Sequence, residues 1–180
     1  VEGRNGDVLV STGEEVVRLR ASSPKQIETR RVAMIPSVRS LLEDEDGSIW
    51  MLSWSNGLSV ARNGAMRNYS AAPQPLLRWY TMMQSGDDLL WLGTNDGLYV
   101  FSRKRGRFLG RTRWPKPSSI FFLCEDATGR LWMATRSGLL ATPGDELLAW
   151  MEGRGPEPFV QHYGSESGLP SINFGLGTSP

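Results

Sequence analysis

The chain has 180 residues, 20 Lys and Arg against 19 Asp and Glu, a net charge of +1 and 39% hydrophobic residues. That balance excludes a nucleic-acid binder working through a global basic field, and no apolar run reaches the length of a membrane span. One cysteine and one histidine exclude an internal disulfide and leave a zinc site or a histidine-based triad without its parts.

Four anchors, Leu9, Trp50, Trp91 and Trp132, follow one another at intervals of 41 residues, and a small hydroxyl stands three residues after each: Thr12, Ser53, Thr94 and Thr135. A fixed period near forty built from short strands is the mark of stacked sheet modules, above all β-propeller blades. The 20 glycines and 11 prolines fit such a turn-rich, all-β chain. Each copy reads as a four-stranded antiparallel blade with strands A (inner) to D (outer), giving three complete blades and two partial ones.

Residues 1–33 supply strands B, C and D of a partial blade, without strand A. The first complete blade covers 34–75. Its strand A is Val38–Asp44, its turn Glu45-Asp46-Gly47, and its strand B Ile49–Leu52; Gly57-Leu58 opens strand C, and strand D lies near Met66–Ser70. The blade over 76–116 repeats this with Trp79–Ser85, Gly86-Asp87-Asp88, Leu90–Gly93, Gly97-Leu98 and Arg107–Arg113. The blade over 117–169 has Ile120–Asp126, Ala127-Thr128-Gly129, Leu131–Ala134, Gly138-Leu139 and Pro158–Tyr163. Its run Asp145–Glu152 loses the period of two and predicts a short inserted helix. Residues 170–180 begin another strand A, with Pro170-Ser171-Ile172 echoing Pro36-Ser37-Val38. That tail is expected to pair with the first partial blade of its own chain, or of a second copy to give a homodimer, or else the two partial blades are cut ends of an arc that stays open.

The apolar strands A are expected to be buried on both faces, and the repeated Trp to fill the gaps between blades. Cys124 aligns with Leu42 and Met83 and is expected to be a buried structural thiol. Together the chain is expected to form a single propeller fragment.

The search for chemistry returns little. His162 reads as an exposed histidine of an outer strand. Asp44-Glu45-Asp46-Gly47 reads as a hairpin turn, not a calcium loop, because it lacks the distal ligands of one. The run Arg103-Lys104-Arg105, Arg107, Arg111, Arg113 reads as the solvated face of an edge strand. No catalytic residue, metal site, cofactor or nucleic-acid partner is expected. The candidates for ligand binding are the B-to-C turn residues Trp54, Asn56, Asn95, Asp96 and Arg136, with Trp54 suited to stacking on a sugar ring.

Leu41-Leu42-Glu43-Asp44-Glu45-Asp46-Gly47-Ser48-Ile49-Trp50 followed by Asn56-Gly57-Leu58 resembles the two-component regulator propeller repeat. So does Leu123-Cys124-Glu125-Asp126-Ala127-Thr128-Gly129-Arg130-Leu131-Trp132 with Gly138-Leu139. The copy at Leu90-Trp91-Leu92-Gly93-Thr94-Asn95-Asp96-Gly97-Leu98 matches in its second half but has Gly86-Asp87-Asp88 where the family has Asp-x-x-Gly. The first copy, with Leu9 for Trp, is the most divergent. The resemblance implies part of the periplasmic sensor of a bacterial inner-membrane receptor with a kinase, cyclase or transcription-factor output. Its implied partners are a small-molecule or oligosaccharide ligand and the other blades of the parent protein, and it implies recognition or signal transfer without catalysis. A propeller enzyme (lyase or glycosidase) and a pure interaction scaffold are the alternatives.

Overall fold

The computed structural model describes residues 1–3, 6–23, 25–69, 76–114, 118–169 and 174. They form four antiparallel sheets in chain order. The first holds β1 (Val8–Ser11), β2 (Glu15–Ser23) and β3 (Gln26–Met34). The second holds β4 (Val38–Glu43), β5 (Ile49–Ser53), β6 (Gly57–Arg62) and β7 (Ala65–Tyr69). The third holds β8 (Trp79–Ser85), β9 (Leu89–Thr94), β10 (Gly97–Ser102) and β11 (Arg107–Arg111). The fourth holds β12 (Ile120–Glu125), β13 (Arg130–Thr135), β14 (Gly138–Pro143) and β15 (Gln161–Tyr163), with helix α1 (Gly144–Met151) between its last two strands. The last three sheets are four-stranded meanders of the propeller-blade type. The chain divides into two compact units, one carrying β1–β7 and the other β8–β15 with α1.

The period of 41 is a structural register. Trp50, Trp91 and Trp132 sit in the second strand of their sheets, opposite Leu42, Met83 and Cys124 respectively. The Asp-x-x-Gly turn before them has a double task. Asp126 Oδ1 accepts from the backbone N–H of Thr128 (2.9 Å) and Arg130 (3.2 Å), while Oδ2 accepts from the Trp132 indole at 2.7 Å. These bonds, with that from the Thr128 hydroxyl, hold the Asp126 carboxyl far below the ordinary carboxylate range. Gly129 supplies the positive φ of 80° that closes the turn. Asp44 and Gly47 repeat the arrangement in part: Trp50 Nε1 lies 3.4 Å from Asp44 Oδ2, but Asp44 Oδ1 accepts from the Glu45 N–H (2.8 Å) and the Ser48 N–H goes to Asp46 (2.9 Å).

The repeated hydroxyls have one task as well. Thr94 Oγ1 donates to the carbonyl of Gly97 (2.8 Å) and accepts from the N–H of Asp96 (3.0 Å). Thr135 does the same with Gly138 (2.9 Å) and Ser137 (3.2 Å). Each hydroxyl satisfies backbone groups that a two-residue turn leaves without ladder partners. The second sheet's turn is one residue longer, and Ser53 Oγ donates instead to the Pro36 carbonyl at 2.7 Å.

In the first unit, Leu9, Val16 and Ala33 of the first sheet pack on Ile49, Met51 and Ala61 of the second. Arg18 of β2 reinforces this by bridging Asp7 (3.4 Å) and Glu43 of β4 (2.6 Å). In the second unit, Trp91, Leu98 and Val100 pack on Leu123, Leu131 and Met133, with Leu147 and Met151 of α1 completing the cluster. The helix presses close to β11. A Cβ built on Gly110 would lie 2.5 Å from the Met151 carbonyl oxygen, so only glycine fits there.

Several expectations are corrected. The first partial blade is not wholly without its strand A. Val1 and Leu9 exchange two backbone hydrogen bonds of 2.9 Å, and Glu2 bridges Val8, so Val1 stands where Leu42 stands in the second sheet. The A strands are only partly buried, because each lies at the edge of its sheet; full burial belongs to β5 and β10. Cys124 is exposed for this reason: Leu123 turns into the core while Phe122 and Cys124 turn to the other face of an edge strand. Trp132 is half-buried, unlike its buried equivalents Trp50 and Trp91. The predicted helix is present as α1. The expected strand at 170–180 lies outside the described residues, 174 apart.

Candidate functional site

Each A strand carries a β-bulge at the same repeat position. In the second sheet Val38 faces Ser53 and Ser40 faces Leu52, so Arg39 has no opposite number. Tyr80 is skipped in the same way between Trp79 and Thr81, and Phe121 between Ile120 and Phe122. A bulge frees one side chain from the alternation of the strand and re-aims it. Here it delivers Arg39, Tyr80 and Phe121 to the strand end beside the B-to-C turns, where Trp54, Asn95 and Arg136 occupy the matching turn position.

In the first unit the guanidinium of Arg39 lies over the ring of Trp54, 4.7 Å from its centroid. In the second unit the arrangement is inverted. The turn supplies the cation and the bulge the ring, with Arg136 5.6 Å above Phe121. Phe121 in turn packs against Tyr80 with centroids 5.0 Å apart. Arg39 and Arg136 are exposed, Tyr80 and Trp54 half-buried, and Phe121 buried beneath its neighbours. A guanidinium held over an aromatic face keeps several N–H donors in a fixed plane. Tyr80 and Phe121 are tilted by 40° to each other and Phe121 is buried, so this strand end presents one half-buried ring beside exposed guanidinium donors, groups of the kind that suit a ring-bearing ligand with polar substituents.

The expected turn residues divide in their tasks. Trp54 and Arg136 belong to these cation–ring pairs. Asn95 is a structural tie: its side chain accepts from the Arg78 N–H (2.7 Å) and donates to the Leu76 carbonyl (2.9 Å), fastening the segment that leads into β8. Asn56 is exposed, accepts from Ser55 through its side chain (2.9 Å), and its carbonyl takes a bond from Asn68 (3.0 Å). Asp96 pairs with Arg111 at 2.5 Å, and the two line a cleft of about 350 Å³ with Thr112, Arg113 and Trp114. Sequence reasoning missed Arg39, Tyr80 and Phe121. The available signal was the variety of residue types at one register position that is followed in two copies by a small hydroxyl, Ser40 and Thr81.

Elsewhere, His162 is exposed on β15, its Nε2 2.9 Å from the Ser137 carbonyl and its Nδ1 3.7 Å from Glu166. Burial pushes the Tyr99 phenol up. The basic run is only partly the expected edge strand: Arg107 and Arg111 are exposed on β11, but Arg103, Lys104 and Arg105 form the turn before it with Arg103 half-buried, Arg113 lies beyond it, and a bulge at Leu109 interrupts the simple alternation. Asp46 is engaged in its own turn and with Arg62 at 3.2 Å.

No family model and no curated protein matches the chain. Solved structures do match it. Two are of the extracellular domain of BT4673 from B. thetaiotaomicron, described in one case as a one component system and in the other as a hybrid two component system. They show TM-scores of 0.65 and 0.66 at 16% and 17% identity, over 90% of this chain. A third is PorZ, a surface component of the type-IX secretion system of Porphyromonas gingivalis, with a TM-score of 0.61 at 15% identity over 85% of this chain. The chain spans 21% of the length of each. At that identity the likeness is one of fold, and the fold shared is that of the propeller blade.

Proposed function

We propose that this chain is part of the extracytoplasmic sensing region of a bacterial membrane signalling receptor, periplasmic in location, and that it recognises a ligand without chemical turnover. The observation that carries the reading is the recurrent bulge. One backbone device presents three different side chains, Arg39, Tyr80 and Phe121, at equivalent strand ends. Such variety on a constant frame suits recognition, whereas catalysis needs a fixed constellation of acids, bases or nucleophiles. The fold likeness to extracellular domains of signalling systems supports the same reading. The ligand class is a small molecule or oligosaccharide, its rings against Tyr80 or Trp54 and its polar groups on Arg136 or Arg39.

Calorimetric titration with a panel of oligosaccharides and small metabolites tests it. A specific ligand is expected, and Tyr80→Ala and Arg136→Ala are each expected to weaken its binding about tenfold, which is about 1.4 kcal/mol. Binding untouched by both variants and by Trp54→Ala would remove the site. Turnover of a panel member, abolished by a single acid-to-amide change, would replace the reading with an enzyme.

A further inference from the structure

The cleft lined by Asp96, Arg111, Thr112, Arg113 and Trp114 lies at the B-to-C turn end of the third sheet, and its volume of about 350 Å³ is that of a small-molecule site. Its walls all come from the middle of the chain, and the fourth sheet follows it in the same unit. Thr112 organises it. The Thr112 hydroxyl accepts from the Leu98 N–H at 3.1 Å, and its own N–H donates to the Leu98 carbonyl at 2.9 Å. A Cβ built on Gly97 would lie 2.5 Å from that hydroxyl, so the turn glycine makes the room that Thr112 fills. With Thr112 buried and held in this way, Arg111 and Arg113 on either side of it are both exposed, and both line the cleft.

The charges of the cleft do not cancel. Arg111 gives one guanidinium nitrogen to Asp96 at 2.5 Å, which holds it at the cleft wall. Arg113 has no hydrogen bond or ion pair among the described residues. Two cations therefore face one anion. Trp114 forms the remaining wall; its indole nitrogen is buried, so the cleft meets ring surface. The same end of the second unit leans the same way. Among its described residues Arg78, Arg111, Arg113 and Arg136 stand against Asp96 and Glu166, in a chain whose net charge is only +1. A recess lined by one sign of charge concentrates ligands of the other, and a guanidinium matches a carboxylate with two parallel N–H groups to two oxygens.

We propose that the ligand recognised at this end carries a carboxylate, and that the carboxylate seats on Arg113 and Arg111 with the adjoining part of the ligand against the Trp114 ring. The proposal rests on the ligand-binding reading and narrows it from any small molecule or oligosaccharide to an organic acid or an acidic sugar. Arg113 is the principal donor, because no described residue competes for it. With Asp96 offsetting one of the two guanidiniums, the cleft balances a single negative charge. A carboxylate brings one, whereas a phosphate monoester brings nearly two.

Two measurements test it. In the first, sodium acetate replaces sodium chloride at constant ionic strength while the arginine Nε–H signals are followed by NMR. Those of Arg111 and Arg113 are expected to shift and saturate, and that of Arg107, exposed on β11 outside the cleft, to stay. Arg113→Gln is expected to weaken the Arg111 response about tenfold and Arg107→Gln to leave it unchanged, with circular dichroism checking that both variants are folded. Shifts that do not saturate, or that Arg107 shares, overturn the proposal. A stronger response to sulfate or phosphate than to acetate overturns it too. In the second, calorimetric titration sets uronate-bearing oligosaccharides beside their neutral parents. Binding is expected to be confined to the acidic members and to fall about tenfold in Arg113→Gln. A neutral ligand whose affinity Arg113→Gln leaves untouched overturns the proposal while the ligand-binding reading stands.

Discussion

Trp91 and Trp132 hold the same place in neighbouring blades and are kept there by different means. Trp132 donates to Asp126 at 2.7 Å and stacks on Tyr163 with centroids 5.4 Å apart, yet it remains half-buried. Trp91 has neither partner. Ser85 stands where Asp126 does, and Thr112, bonded to Leu98, stands where Tyr163 does. Its indole N–H is buried without a hydrogen bond, and the residue is 1% exposed. An unpaired buried donor costs about 1–3 kcal/mol. Sealing the ring between two sheets and α1 offsets that cost, since a large aromatic buries enough area to do so. Trp50, buried and with both Asp44 and a Tyr69 stack at 5.9 Å, is supported in both ways. The hydrogen-bonded turn and the stacked tyrosine thus occur together at Trp50 and Trp132 and are both missing at Trp91, where burial replaces the pair.

The largest effect that would sharpen this contrast is at the sealed site. Trp91→Ala is expected to cost about 3–5 kcal/mol, the usual loss for a large aromatic in a core. A loss below about 1 kcal/mol in urea melting would contradict the burial argument. Trp132→Ala is expected to cost less, about 1.5–2.5 kcal/mol, because part of its ring already faces water. Equal losses at the two sites would erase the distinction.

Asp126→Asn separates the supports by pH. The folded-state pKa of Asp126 is depressed by Thr128 and Trp132, so its contribution is complete above the unfolded carboxylate pKa of about 3.9 and is lost as pH falls below it. The variant is expected to be less stable at neutral pH and to show a shallower loss of melting temperature from about pH 4 downward. Some acid dependence is expected to remain, since Asp7, Asp46 and Asp87 are also lowered, chiefly by bonds from Arg20, Ser48 and Lys104. A variant with an unchanged acid profile would mean that the turn carboxylate does not hold Trp132. The smallest stability effect belongs to the exposed edge, where Arg136→Ala is expected to shift stability by no more than about 0.5 kcal/mol. A larger loss would make Arg136 a structural residue.

The sheets, their strand order and the anchor register were legible because turn glycines, turn acids and apolar alternation all recur on one period. The bulges were not. All three A strands have theirs at the same place, so a constant shift superimposes the copies perfectly and an irregularity common to every copy is silent in self-comparison. The half-burial of Trp132 and the exposure of Cys124 were hidden for a related reason. The period treats all blades alike, whereas burial depends on what covers each face. Of the turn candidates, Trp54 and Arg136 were legible as part of the edge, but the structural duty of Asn95 depends on carbonyl and amide groups of Leu76 and Arg78, which its sequence position does not reveal.

A bulged residue has no place in the strand ladder, and this has an evolutionary consequence. Exchanging Arg39, Tyr80 or Phe121 for another side chain breaks no strand pairing and leaves the anchor beneath untouched. The inversion between Arg39 with Trp54 and Phe121 with Arg136 shows that even the cation and the ring can trade places. The exposed members, Arg39 and Arg136, are therefore the letters free to change on a constant page, whereas Phe121 is fixed by its burial and Asn95 by its bonds to the backbone of Arg78 and Leu76.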